Sequence, residues 1–154
     1  MELQKTVIPN SCVPTAFAMA IDMPIVQMLA EIGHQGDAIV WPGLPDPTCR
    51  RGFHVQECID ICVAHGKWPV HIETCPASSP YSRLPNANEM YAIPMDYQRR
   101  VEKYLTDNIC VIFGQKHAVA WNGMNVYDPQ GKKYPLSKLD FNISDIYVFT
   151  PILI

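Results

Sequence analysis

Asn10-Ser11-Cys12-Val13-Pro14-Thr15-Ala16-Phe17-Ala18-Met19-Ala20-Ile21 puts a cysteine at the mouth of a helix. Asn10 or Ser11 is expected to cap the first turn. Pro14 suits that turn because its missing N–H is not needed there, and Phe17, Ala18 and Ile21 supply a buried stripe. Cys12 thus sits where unpaired backbone N–H groups and the helix dipole favour negative charge. A thiol so placed has a depressed pKa and spends more of its time as the reactive thiolate. An arbitrary cysteine is more often a small buried apolar residue, so this position gains meaning only from what accompanies it.

The companion is Val111-Ile112-Phe113-Gly114-Gln115-Lys116-His117-Ala118-Val119-Ala120-Trp121-Asn122-Gly123-Met124-Asn125-Val126-Tyr127-Asp128-Pro129-Gln130-Gly131. It reads as strand, turn, strand, Asn-Gly hairpin, strand, turn. His117 opens the middle strand and Asp128 closes the next, and the short connection at Asn122-Gly123 makes those strands antiparallel neighbours. Such a ladder can bring a ring and a carboxylate together at one end of a sheet. Thiol catalysis needs a base for the proton and a third group that fixes the imidazole's tautomer and orientation. Cys12, His117 and Asp128 are those three types.

The order of Cys at a helix start, His-Ala-Val on a strand and Tyr-Asp-Pro after a hairpin resembles the papain-like cysteine peptidases. It is most similar to the branch of the bacteriocin leader peptidases and their C39-like relatives. There the nucleophile stands in a pattern like Cys-Gly-Pro-Thr, matched here by Cys12-Val13-Pro14-Thr15, and the third member is an Asp in an Asp-Pro turn. Val13 departs from the family's Gly. The family's oxyanion-hole Gln is also missing from its usual spacing, where Thr6 stands. The resemblance therefore implies Gln4 as the oxyanion donor, with Asn10 as the alternative, and a papain-like α+β fold. A small residue such as Gly at the cut is implied by the same likeness.

The chain of 154 residues carries 48% hydrophobic and 18% charged residues with a net charge of −3. Those values fit one ordered domain, residues 1–154, and leave no basic footprint for nucleic acid or an anionic membrane. The N-terminus lacks a signal pattern and no apolar run approaches a membrane span, so a cytoplasmic setting with reduced cysteines is expected. No cofactor and no metal are expected; the partner is a peptide or protein substrate.

A helical half, about residues 1–106, is expected to pack on a sheet half, about 107–154, with the cleft between them. In the first half, Asp22 is expected to cap a helix from Met23 to Ile32 that stops at Gly33, and a third helix runs from Phe53 to His65. Trp68 to Glu73 reads as an edge strand because of Pro69, and Met95 to Leu105 as a fourth helix. Two Pro-rich segments, 34–52 and 75–94, read as loops. The first offers Trp41 or Leu44 as a groove wall, and Gln115 adds an amide near His117. His54, Cys58 and Cys62 recur on one helix face as zinc ligands would, with Cys49 and Cys75 able to join them, but no knuckle spacing supports a metal. Cys58 and Cys62 read more simply as core. His34, His54, His65 and His71 show no partner like Asp128.

The expected chemistry is attack by Cys12 on a carbonyl, with His117 carrying the proton and Asp128 orienting the ring. Hydrolysis of a peptide or isopeptide bond is the first reading. Transglutaminase-like acyl transfer uses the same three residues, and a silent papain-like binding module or a metal-binding structural domain are the alternatives outside catalysis.

Overall fold

The computed structural model of the chain describes residues 1–37, 52–74, 97–114 and 116–149. Its helices are α1 (Cys12–Ala20), α2 (Ile25–Ile32), α3 (Val55–Ala64) and α4 (Tyr97–Leu105). Its strands are β1 (Pro69–Glu73), β2 (Ile109–Phe113), β3 (Ala118–Trp121), β4 (Val126–Asp128), β5 (Lys132–Tyr134) and β6 (Asp145–Phe149). They form one antiparallel sheet in the order β1-β6-β2-β3-β4-β5. The class is α+β, as expected.

The simple division into two halves does not hold. β1 joins the sheet beside β6, at the edge where Pro69 can be tolerated. The helices also divide between the two sheet faces. Ala16, Phe17, Ala18, Met28, Cys58 and Cys62 of α1–α3 pack with Val111 and Ala118 on one face. Val101 and Leu105 of α4 pack with Ile112, Val119, Val126, Ile146 and Val148 on the other. Alternation along β3 explains this: neighbouring residues point to opposite faces, so Ala118 meets α1 while Val119 meets the α4 side. The small residues at Ala118 and Ala120 let α1 approach the sheet closely.

Three local expectations are corrected. Neither Asn10 nor Ser11 caps α1 with its side chain: the Ser11 hydroxyl donates to the Ile8 carbonyl at 2.6 Å, and Asn10 is exposed with φ of 57°. Asp22 does not cap α2. It takes a positive φ of 56°, and its carboxylate pairs with the Met1 amino group at 3.2 Å. α2 begins later, at Ile25, where its N–H donates to Gln4 Oε1 at 2.7 Å. Gly33 does end it, in the left-handed region at φ 88°. β5 follows the Asp128–Gly131 turn where no strand was expected.

Among the described residues no single helix is long and apolar enough to cross a membrane. The apolar character of α1 is spent inward, since every residue from Pro14 to Ala20 is buried.

Candidate active site

His117 stands immediately before β3, where the β2–β3 turn is closed by a bond from Gly114 N–H to the His117 carbonyl at 3.0 Å. Asp128 ends β4. The β3–β4 register pairs Ala120 with Tyr127, and continued by one step it sets Asp128 opposite Val119. His117 and Val119 share a face by the two-residue period. The register therefore brings the ring and the carboxylate together across the sheet end, and His117 Nε2 lies 2.8 Å from Asp128 Oδ1.

With Nε2 on Asp128, Nδ1 is the nitrogen left for a second partner. The imidazole is hydrogen-bonded to the Cys12 side chain, whose sulfur also faces the backbone N–H groups of Ala118 and Val13. α1 thus delivers its first residue to the end of the sheet where His117 begins β3. The hairpin and the helix start, 105 positions apart from Cys12 to His117 by their numbering, converge.

The electrostatics favour an ion pair. Burial alone would raise the Cys12 thiol, but the His117 ring and the Ala118 and Val13 N–H groups outweigh it and hold the thiol below its ordinary 9.0. The bond to Cys12 pushes the His117 imidazole up to about 9, against burial and with help from Asp128. Asp128 is only 4% exposed, yet its carboxyl lies below the ordinary value. Burial opposes this, and bonds from Gln130 N–H, the Tyr134 hydroxyl and His117 reverse it. Phe141 packs edge-on to the His117 ring at 6.1 Å, and it also covers Gly114 so closely that a Cβ there would collide with it.

Gln4 is not at this site. Its Nε2 donates to the Met23 carbonyl and its Oε1 accepts from Ile25 N–H, both at 2.7 Å. Both ends of the amide are therefore committed to the α1–α2 turn, at the far end of α1 from Cys12. Gln4→Ala is expected to cost about 1–2 kcal/mol through the lost cap and the orphaned carbonyl, read by chemical denaturation, with Cys12 alkylation of the native protein unchanged. A fall in native Cys12 reactivity would return Gln4 to the site. Asn10, the alternative donor, is on the loop leading into α1. Trp41 and Gln115 lie outside the described residues.

The helical His-Cys-Cys pattern separates. The His54 ring accepts from Gln56 N–H at 3.0 Å as the cap of α3, with Glu57 completing the capping box. Cys58 and Cys62 are fully buried, and burial first of all raises both thiols, Cys62 to about 12. Cys49 and Cys75 lie outside the described residues, and among those described no group of three or more His, Cys, Asp and Glu could hold a metal.

Carboxylate partners are commoner than the sequence suggested. His34 pairs with Glu57 at 2.6 Å, His65 with Glu31 at 2.7 Å and His71 with Asp145 at 2.7 Å. In these three pairs the carboxylate side chain is 33–35% exposed, against 6% for Asp128. His117 is also the one of the four whose ring meets the Cys12 thiol.

The lead-in, residues 1–11, ties the site together. Thr6 N–H donates to the Pro129 carbonyl at 2.9 Å, beside Asp128, and Ser11 bonds Ile8 beside Cys12. Between these anchors Val7 and Ile8 form one wall of a cavity of about 490 Å3, whose other walls are Val26, Leu29 and Ala30 of α2 and, after it, Gly33, His34 and Gln35. Comparison of the chain with protein-family models, curated proteins and solved structures gives no match.

Proposed function

We propose that the chain is a thiol-dependent hydrolase of papain-like type, similar in site order to the C39-like leader peptidases, acting on a peptide or isopeptide bond. The observation that carries this reading is the continuous line from the Cys12 thiol through the His117 ring to the buried Asp128 carboxylate. The Cys12 thiolate attacks the carbonyl carbon, and His117 gives its proton to the departing amine as the C–N bond breaks. The resulting thioester is then attacked by water, whose proton passes to His117, and the acid leaves as the thiolate re-forms.

The oxyanion is held by backbone rather than by Gln4. The first N–H groups of a helix have no partner within it, Pro14 has none to offer, and the Ser11 hydroxyl points back to Ile8. The Val13 N–H faces the Cys12 sulfur, which leaves the Cys12 N–H at the reacting end of α1, with the Asn10 amide as the nearest side-chain donor in sequence. The cavity beside the lead-in, mostly apolar but with His34 and Gln35 in its lining, would seat an apolar side chain of the substrate, in contrast to the small residue that the family likeness alone implies.

Incubation with a mixed peptide library, with a primary amine added, tests both outcomes in one experiment. Mass spectrometry is expected to find new termini that vanish with Cys12→Ala. Adducts of the amine in place of new carboxyl ends would assign acyl transfer instead. Identical peptide profiles for the two proteins would leave the silent binding module.

A further inference from the structure

A carboxylate as deeply buried as Asp128 needs a donor on each oxygen. Oδ1 has two, His117 Nε2 at 2.8 Å and Gln130 N–H at 2.9 Å. Oδ2 receives the phenol of Tyr134 at 2.7 Å. Tyr134 reaches it because β5 turns back along β4, pairing Val126 with Tyr134 and Asp128 with Lys132, so that the ring lies two residues away on the face of Asp128. Leu136, Leu139 and Phe141 pack in the same cluster. Burial and the adjoining carboxylate both raise the phenol, so it stays protonated and keeps donating wherever the thiolate works.

We infer that Tyr134 is a positioning residue of the site: its hydroxyl holds Asp128 ionised with Oδ1 turned to His117, and through Asp128 it sustains the Cys12–His117 pair. This rests on the reading of Cys12, His117 and Asp128 as the reacting line. Without the phenol, Oδ2 would be left in a nearly closed site with no donor. The carboxyl would then gain by taking a proton or by turning Oδ1 away from the ring, and either change weakens the imidazolium. Among the described residues, exposed Lys132 stands opposite Asp128 in the register, Lys5 bridges to Gln130, and the charge of Asp140 is felt at Tyr134. None of the three side chains contributes a hydrogen bond to Asp128.

Tyr134→Phe removes one oxygen and keeps the ring. The readout is iodoacetamide labelling of each cysteine by peptide mass spectrometry from about pH 4 to pH 10, with buried Cys58, Cys62 and Cys110 as internal controls of the fold. In the wild type the Cys12 rate is expected to rise along an acid limb below the ordinary thiol range, and the ion pair to persist to about pH 9. In Tyr134→Phe the acid limb should move up, and the rate at pH 6 falls about 3- to 10-fold. The three buried thiols should stay protected. Superposable profiles with the wild-type acid limb intact overturn the role of Tyr134 alone. A wild type with no such limb, unchanged by His117→Ala, overturns the reading of the site itself.

Asp128→Asn and the double variant separate positioning from packing. If Tyr134 acts through the carboxylate, adding Tyr134→Phe to Asp128→Asn should not move the acid limb further. A further shift, or labelling of Cys58 and Cys62 that rises with the first substitution, would assign Tyr134 to the fold and overturn the inference.

Discussion

His117→Ala is expected to slow alkylation of Cys12 at pH 6 by about 100-fold or more. The sign follows from the opposing influences on the thiol. Burial raises it, while the His117 ring leads the groups that lower it. Removing the ring leaves the burial and takes away the largest compensating partner, so the thiol returns to or above its ordinary 9.0. The Ala118 and Val13 N–H groups remain but bring no positive charge. The wild type should therefore react fast through neutral pH, because its thiolate is already formed there beside an imidazolium that keeps its proton to about pH 9. The variant should react appreciably only in alkali. The check is the ratio of the two Cys12 rates at pH 6, taken with Cys58, Cys62 and Cys110 as unreactive standards in the same sample. A ratio below about 3 would mean that the thiol–imidazole bond does not control the thiolate, and the hydrolase reading would fall with it.

Asp128 behaves differently with pH because its shift has the other sign. A carboxyl held below its ordinary value contributes stability that is fully present above the ordinary carboxyl range and is lost as pH falls through the lowered value. The wild type should thus lose thermal stability more steeply than Asp128→Asn below about pH 4. Parallel curves would show that burial of Asp128 is not compensated by its three donors.

The parts of the site visible in the sequence are those fixed by local rules. Pro14 and the small apolar run after it place Cys12 at a helix start, and the Asn-Gly connection sets His117 and Asp128 on adjacent strands. Asn122 enforces that turn by accepting from the N–H groups of Met124 and Asn125 at 2.9 and 2.7 Å. Tyr134 was hidden because Lys132-Lys133-Tyr134 is too short and too charged to read as a strand. Its meaning comes only from the register with β4. Gln4 is misplaced by sequence for a related reason: an amide shortly before Cys12 can be drawn to several places. Its true partners, Met23 and Ile25, are chosen by how α2 folds back on α1. The pairs His34–Glu57, His65–Glu31 and His71–Asp145 span 23, 34 and 74 positions. No periodicity within one element could announce them.

Phe17→Ala is expected to destabilise the fold by about 3–5 kcal/mol, a large share of the roughly 5–15 kcal/mol that holds a domain together. Phe17 is fully buried on α1, and its ring meets Phe113 at 6.2 Å, Tyr147 at 5.6 Å and Phe149 at 6.2 Å. Three aromatic residues from β2 and β6 thus close around one side chain of the helix that carries Cys12. Truncation leaves a cavity whose aromatic walls cannot collapse without moving strands, which is why a loss of this size is expected. Chemical denaturation measures the loss directly. Cys58 and Cys62 give a second, independent reading, because their labelling requires the core to open. At about 1.4 kcal/mol per tenfold, their rates should rise by roughly 100- to 4000-fold if they label through global unfolding. A loss under about 1 kcal/mol would mean that α1 is held to the sheet elsewhere. The position of Cys12 against His117 would then not depend on this contact. The expected larger loss would make the same ring that stabilises the domain the anchor that holds the helix of Cys12 on the sheet that carries His117.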